Sequence, residues 1–126
     1  ARIVRVLVNL ADNALDAMPD GGSLTIETHL EELDAERAKD WGMKAGLCTL
    51  LMVRDTGTGI SRDNLGRLFD PFFSTKARDR HSGLGLSTVA EIVKEHKGHI
   101  EVQSVLGEGT TFAIYFPALD ASDLEQ

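Results

Sequence analysis

The sequence predicts an α/β domain, more closely an α+β two-layer sandwich in which a mixed β-sheet carries its helices on one face. First, two long segments repeat their apolar residues at spacings of three and four, as amphipathic helices do. Second, four shorter segments are rich in strand-forming residues and are bounded by turn residues. Third, 126 residues with 42% hydrophobic content suffice for one domain with a core.

The N-terminal half predicts one long helix and two strands. Apolar residues recur on one face from Ile3 to Met18, and the Pro-Asp-Gly-Gly sequence that follows ends the helix. Alternating apolar and polar residues over 23–30 predict a half-buried strand, and the apolar run 47–53 predicts a second one. The charged segment 31–46 is expected to leave the sheet and to contain a short helix.

A glycine-rich segment and a lid are expected in the middle of the chain. Residues 55–60 hold too much glycine for a regular element, and Ser61 is a good N-cap for a short helix through Phe69. The irregular stretch 71–82 combines phenylalanines with basic residues, so we expect a lid over an anionic ligand. The alternative is that its phenylalanines fill the core and its cations are solvated.

The C-terminal part predicts a second long helix and a hairpin. The helix begins at Gly83 and is expected to end at Gly98, because glycine is the preferred C-cap residue. Strands over 99–105 and 110–116 are joined by the turn Leu-Gly-Glu-Gly. We therefore expect a domain over residues 1–117, followed by an acidic tail or linker over 118–126.

Charge and cysteine content restrict the function classes. The 13 Lys and Arg against 20 Asp and Glu give a net charge of −7, which disfavours binding to nucleic acid or anionic lipid. The single cysteine, Cys48, lies in an apolar strand, so we expect a buried small hydrophobe and not a nucleophile. One unpaired cysteine suits a reducing compartment, hence the cytoplasm, while membrane anchoring of a longer protein is left open.

Two glycine motifs indicate a ligand site. In Asp55-x-Gly57-x-Gly59 the carboxylate follows a strand and the glycines let a flat ligand approach the backbone. The alternative is a glycine turn capped by the aspartate. The sequence Gly83-Leu84-Gly85-Leu86-Ser87 opens a helix, whose free N–H groups and positive dipole end suit phosphate oxygens. Here the alternative is a glycine-rich helix entry.

Two asparagines on the first helix need an explanation. Asn9 and Asn13 are four residues apart, so they share one helix face. Asparagine is a mediocre helix former, and its amide oxygen is a hard ligand suited to Mg²⁺ that is shared with phosphates. The alternative is a satisfied polar pair at a helix junction.

Five motifs in this order resemble the N, G1, F, G2 and G3 boxes of the catalytic and ATP-binding domain of sensor histidine kinases. That domain belongs to the GHKL superfamily, with the DNA gyrase B subunit, the mismatch-repair mutL ATPase and the ninety-kilodalton heat-shock chaperones. The resemblance extends from about Arg2 to Pro117 and implies the Bergerat ATP-binding fold. Its F box is most similar to that of nitrogen-regulation-type kinases. The motifs are Asn13-Ala14, Asp55-x-Gly57-x-Gly59, Phe69-x-Pro71-Phe72-Phe73, Gly83-Leu84-Gly85-Leu86 and Gly107-x-Gly109-Thr110.

The resemblance implies a role in Mg·ATP binding for each box. Asp55 would accept the adenine amino hydrogen, Asn13 would hold Mg²⁺, and Asn9 would line the phosphate region. Asn9 and Asn13 are the candidate catalytic residues. The residues expected to bind the nucleotide are Asn13, Asp55, Gly57, Gly59, Ile60, Phe69, Lys76, Arg80, Gly83, Leu84, Gly85, Leu86 and Thr110.

This chain departs from the family pattern in two places. His81-Ser82 stands where the G2 box usually begins with a further glycine, so a stiffer lid hinge is expected. The chain also begins within the first helix, without the strand that precedes it in the family. One sheet edge or apolar face is therefore expected to be uncovered.

The resemblance implies a protein-histidine kinase that is incomplete for autophosphorylation by itself. The γ-phosphate would go to a histidine on an upstream dimerisation domain and then to a response-regulator aspartate. We assign the four histidines of this chain to surface or packing positions. Superfamily ATPases carry a general-base glutamate where this chain has Asn9, so hydrolysis should be slow. The alternatives are a GHKL-type ATPase clamp or a non-catalytic nucleotide-sensing module. A monomer is expected for the isolated domain and a homodimer for the full-length protein.

Overall fold

A four-stranded sheet organises residues 2–70 and 85–117, the parts of the chain that the computed structural model describes. The expected lid over 71–82 and the tail over 118–126 lie outside these ranges. The strands are β1 (Leu24–Leu33), β2 (Gly46–Asp55), β3 (His99–Val105) and β4 (Gly109–Pro117). The helices are α1 (Arg2–Asp16), α2 (Ala35–Trp41), α3 (Arg62–Leu65) and α4 (Gly85–Glu95).

The sheet is antiparallel throughout the described strands. Its order is β1-β2-β4-β3, and every neighbouring pair runs in opposite directions. The α/β class is confirmed, but the expectation of a mixed sheet is wrong for these strands. The cause is that β4 pairs antiparallel with both β3 and β2, and so lies between them. Strands β2 and β3 run in the same direction but do not pair.

The main core lies between the sheet and two helices, α1 and α4. These helices pack side by side on one face of the sheet, to which every second residue of β2 and β4 points. Each buried large aliphatic or aromatic side chain here contributes about 1.5–3 kcal/mol. The buried residues are Val6, Leu10, Leu51, Val53, Leu68, Val89, Ile92, Val93, Phe112, Ile114 and Phe116.

Helix α2 lies against the opposite face, which corrects the expectation that the helices cover one face only. The Trp41 ring stacks on His99 with a centroid distance of 4.2 Å, and it tilts against Tyr115 at 4.8 Å. Tyr115 alternates with the core residue Ile114 along β4 and therefore points to the other side of the sheet. A tryptophan in the excursion between β1 and β2 buries its large ring by this packing.

The helix boundaries differ from the expected ones at the C-terminal ends. Helix α1 ends at Asp16, and α3 ends at Leu65, although Ser61 caps α3 as predicted and accepts the Asn64 N–H. Helix α4 ends at Glu95, and the residue with left-handed backbone (φ 60°) is Lys97. The Gly98 N–H donates to the Val93 carbonyl at 2.9 Å, so the end has Schellman geometry.

Strand β1 forms one edge of the sheet of described strands and carries exposed apolar side chains. Ile26 is 47% and Leu30 is 73% exposed, and Val4 and Val8 of α1 are about half exposed. The outer edge of β1 pairs with no other described strand. No helix within residues 2–70 and 85–117 has the length and apolar character needed to cross a membrane.

Candidate functional site

Asp55 ends β2 in a buried position between two neighbouring strands. The residue is 4% exposed, and its register partners are Leu24 in β1 and Thr110 in β4. Its Oδ1 accepts the Gly57 N–H at 2.8 Å, whereas Oδ2 makes no hydrogen bond to a described residue. Oδ2 is not among the fully buried oxygen atoms that lack a partner, so it is reachable from solvent. Oδ2 is therefore suited to accept a hydrogen bond from a ligand.

Glycines 57, 59 and 109 allow three segments of backbone to meet around Asp55. An added Cβ would lie 2.5 Å from the Ala17 carbonyl oxygen at Gly57 and 2.3 Å from that of Val105 at Gly59. At Gly109 it would lie 2.1 Å from the carbonyl oxygen of Asp55 itself. The turn after β2 thus fits between the end of α1 and the β3–β4 hairpin. The alternative, a glycine turn capped by the aspartate, accounts for the hydrogen bond to Oδ1. It gives Oδ2 no partner among the described residues.

Ser104 ties the hairpin to this turn, and the sequence interpretation missed it. Its Oγ accepts the Ile60 N–H at 2.7 Å and lies 2.7 Å from the Thr110 hydroxyl. Thr110 is buried next to Asp55. The only signal for Ser104 is that it is the register partner of Thr110, which the sequence reveals only once the hairpin register is known.

The two asparagines of α1 have different surroundings. Asn9 Nδ2 donates to the Gly85 carbonyl at 3.2 Å, so it joins α1 to the first residue of α4. Asn13 is half-buried, and its side chain makes no hydrogen bond to a described residue. The interpretation as a satisfied polar pair therefore fits Asn9, whereas the Asn13 amide oxygen has no partner among the described residues.

The turn after Asp55, one side of α1 and the start of α4 form a continuous line. The Thr58 N–H donates to the Ala17 carbonyl at 3.0 Å, which places the turn at the C-terminal end of α1. One side of α1 and of the turn that ends it then carries, at intervals of four residues, Ala17, Asn13 and Asn9. Eight residues of helix span about 12 Å, a length suited to an extended nucleotide. The line ends at the Asn9–Gly85 hydrogen bond.

The N-terminus of α4 is open to a ligand within the described residues. An added Cβ at Gly85 would meet nothing within 4 Å, so close packing does not require glycine there. Among the described residues, the first N–H groups of this 11-residue helix have no intrahelical acceptors, and the helix dipole favours an anion at this end. Leu86 is half-buried and packs against the main core.

A divalent cation at this site would depend on few protein ligands. Residues 2–70 and 85–117 contain no group of three or more His, Cys, Asp or Glu that could hold a metal ion. The amide oxygen of Asn13 and the oxygens of a bound ligand would have to supply the coordination. Such an all-oxygen set fits Mg²⁺, which is commonly held by one or two protein ligands together with phosphates and water.

The structure places the remaining candidates as follows. Ile60 and Phe69 are half-buried against the main core, and the Phe69 ring meets Phe112 edge-on at 6.4 Å. Of the histidines, His29 and His99 contact nearby glutamates and His96 Nδ1 lies 2.9 Å from the Ile92 carbonyl, in line with surface or packing roles. The candidates outside the described residues are Lys76, Arg80, His81, Gly83 and Leu84.

Comparison with known proteins identifies the family. The family model described as histidine kinase-, DNA gyrase B- and HSP90-like ATPase matches residues 1–120. The sensor kinase CckA of Brucella abortus is 44% identical over 116 residues, which are 91% of this chain and 12% of that protein. The sensor histidine kinase ZraS of Salmonella typhi is 37% identical over 118 residues, which are 94% of this chain and 22% of that protein.

Two solved structures share the fold. The mycobacterial sensor histidine kinase MprB matches with a TM-score of 0.71 at 25% identity, over 92% of this chain and 70% of that one. Full-length ShkA in complex with AMPPNP matches with a TM-score of 0.71 at 28% identity, over 92% of this chain and 21% of that one. The nitrogen-regulation-type subgroup stays a prediction. The chain belongs to the histidine kinase-, DNA gyrase B- and HSP90-like ATPase family.

Proposed function

We propose that this chain is the ATP-binding catalytic domain of a two-component sensor histidine kinase, a protein-histidine kinase. It binds Mg·ATP and donates the γ-phosphate to a histidine on a separate dimerisation domain. The observation that carries the proposal is the buried Asp55 carboxylate, whose Oδ2 has no hydrogen bond to a described residue. Family membership and the relative solved with AMPPNP support an adenine amino group as the missing donor.

Each part of the line from Asp55 to α4 then has a task. Asp55 Oδ2 accepts the adenine amino hydrogen, while Gly57, Gly59 and Thr110 keep the turn and the hairpin in contact around it. The N–H groups that open α4 at Gly85 bind phosphate oxygens. Mg²⁺, held by Asn13 and the phosphates, supplies charge neutralisation when bound. The remaining candidates in this proposal are Ile60, Phe69, Lys76, Arg80, Gly83, Leu84 and Leu86.

Asn9 favours a kinase over a hydrolase. Its Nδ2 donates to the Gly85 carbonyl, and an amide cannot take a proton from water at neutral pH. A kinase needs no such base on this domain, because a neutral imidazole on another domain attacks the phosphorus itself. We therefore expect Asn9 to position the start of α4 and the isolated chain to hydrolyse ATP slowly.

The proposed setting is a longer protein, since the chain spans 12% and 22% of the two curated relatives described above. Residues 1–117 form the domain and 118–126 an acidic tail or linker. The partners are an upstream dimerisation domain with the phosphoacceptor histidine and a response regulator. The isolated domain is monomeric and the full-length protein a cytoplasmic or membrane-anchored homodimer.

Thermal shift with Mg·ATP tests the site. Ligand at a hundred times its Kd stabilises a fold by about 2.7 kcal/mol. Asp55→Asn keeps an oxygen for the Gly57 N–H but turns the other position into a donor that faces the adenine amino group, so the shift should vanish. Asn13→Ala should remove the dependence on Mg²⁺. Asp63→Asn and Asn64→Ala on α3 are matched controls and should keep the wild-type shift.

Transfer of phosphate separates the kinase from the alternatives. With labelled ATP and a separately supplied histidine-bearing dimerisation domain of a sensor kinase, the kinase labels the histidine, and Asn13→Ala does not. Rapid ATP turnover by the chain alone would support an ATPase clamp. A Mg·ATP shift without transfer or turnover would support a nucleotide-sensing module, and no shift at all would overturn the proposed site.

A further inference from the structure

We propose that the acidic C-terminal residues 118–126 bind in a groove between α4 and the outer edge of β3. This α4–β3 groove has a volume of about 480 Å³. Its apolar walls include Trp41, Phe69, Val93 and Ile100, and its cationic residues are Lys94 and Lys97. The inference goes beyond the proposed function and does not rest on it.

The charge of the groove selects an anionic occupant. Lys94 and Lys97 are exposed and form no salt bridge with a described residue. The third basic residue of the groove, His99, already contacts Glu101 at 3.0 Å. No carboxylate is among the described residues that line the groove, although the chain as a whole carries a net charge of −7. Two cations beside apolar walls suit a segment that combines acidic and aliphatic side chains.

Lys97 is kept at the groove at a conformational cost. It has φ 60° at the position of the helix end where glycine is normally found. Gly98 follows it for a different reason, because a Cβ there would lie 2.4 Å from the Tyr115 carbonyl oxygen. A lysine in a position that favours glycine indicates that its side chain has a use beyond the helix end.

The chain leaves the sheet beside this groove. Tyr115 pairs with His99, is packed against by Trp41 and lies next to Gly98, and all three of these residues line the groove. The last residue of β4, Pro117, is only two positions further along the strand. Nine residues can span up to about 30 Å, so residues 118–126 can reach the groove from this point.

The composition of the tail complements the groove, whereas that of the nearest competitor does not. The tail carries three acids, Asp120, Asp123 and Glu125, two leucines and no basic residue. Segment 71–84 also follows a groove residue closely in sequence, but it carries one lysine, two arginines and a histidine against one aspartate. Like charges would face each other if that segment occupied the groove, so the charges favour the tail.

The fluorescence of Trp41 tests the proposal, because it is the only tryptophan of the chain and lines the groove. The chain of 126 residues is compared with a variant whose tail is neutral, Asp120→Asn, Asp123→Asn and Glu125→Gln. We expect the neutral tail to shift Trp41 emission to the red, and a synthetic peptide of residues 118–126 to reverse the shift saturably. High salt should weaken the peptide.

Groove variants identify the contacts. Lys94→Glu and Lys97→Glu should each lower the affinity for the peptide about fivefold, which corresponds to the upper value for one exposed ion pair. The matched control Lys44→Glu, an exposed lysine outside the groove, should not. Lys97→Gly should raise the thermal midpoint, because glycine adopts the left-handed backbone conformation of this position without strain. It should still lower the affinity for the peptide. This opposite pair of effects cannot come from unfolding. The Mg·ATP shift should persist in all these variants.

Three results would overturn the proposal. Trp41 emission that ignores the neutral tail, or a peptide that binds Lys94→Glu and Lys97→Glu as well as the wild type, would exclude the α4–β3 groove as its site. A tail effect that grows with protein concentration would place the tail in the groove of a second copy. Conversely, recovery of the wild-type emission when tail lysines are combined with Lys94→Glu and Lys97→Glu would establish the charge pairing.

Discussion

Gly109→Ala is expected to destabilise the domain far more than Gly107→Ala, although both glycines lie at the β3–β4 hairpin. Both residues have positive φ, +131° at Gly109 and +81° at Gly107. An added Cβ at Gly107 meets nothing within 4 Å, whereas at Gly109 it would lie 2.1 Å from the Asp55 carbonyl oxygen. The pair thus separates backbone strain from a collision with the candidate site.

The magnitude follows from the distance that the backbone must move. Real Cβ atoms essentially never approach another heavy atom within 3.0 Å, so the Asp55 carbonyl must retreat from 2.1 Å to at least that distance. A positive φ costs alanine about 1–2 kcal/mol, which is the expected loss for Gly107→Ala. Overpacking at Gly109 adds about 1–3 kcal/mol. The total of about 2–5 kcal/mol is a large share of the usual 5–15 kcal/mol of domain stability.

Urea denaturation followed by circular dichroism measures both losses, and Gly66→Ala is the control. Gly66 has φ −68° and open space for a Cβ, so its substitution should change the free energy of unfolding by less than about 0.5 kcal/mol. Gly109→Ala should also abolish the rise in thermal midpoint that Mg·ATP causes, because the displaced carbonyl belongs to Asp55. Equal losses for Gly109→Ala and Gly107→Ala would refute the steric reasoning.

Three further predictions concern the core, a helix cap and the cysteine. Ile114→Ala should lose about 2–5 kcal/mol in urea denaturation, since Ile114 is fully buried, while the exposed Ile26→Ala should lose much less. The hydrogen bond from the Arg37 N–H lowers the pKa of Asp34 in the folded protein below 3.8. The stabilisation that this hydrogen bond provides is therefore complete above pH 3.8, and it is lost as the pH falls through the lower pKa of the folded state. Asp34→Ala should thus lower the thermal midpoint at neutral pH but not in strong acid, and an equal loss in both would contradict this. Cys48 is 1% exposed, and this burial raises the pKa of its thiol. A thiol reagent should therefore modify Cys48 only as fast as the domain opens. Immediate reaction of the native domain would contradict this prediction.

Local patterns determined much of this protein. The three-and-four spacing predicted α1, and the apolar run around Leu50 predicted β2, because periodicity reports which face of an element is buried. The order of the glycine and asparagine motifs was sufficient to indicate the family that the comparisons identify. Asp55 could be selected from the sequence as a candidate site residue, because a carboxylate and two glycines adjoin the end of a strand.

Only the tertiary structure decided how distant segments meet. It placed β4 between β2 and β3, put Trp41 of α2 against His99 on the second face of the sheet, and gave the left-handed backbone to Lys97 instead of Gly98. It also separated Asn9, which is bonded to Gly85, from Asn13, which has no such bond to a described residue. Each of these outcomes depends on contacts between residues far apart in the chain. Local spacing carries no information about such contacts, because the same pattern is compatible with several registers and packings.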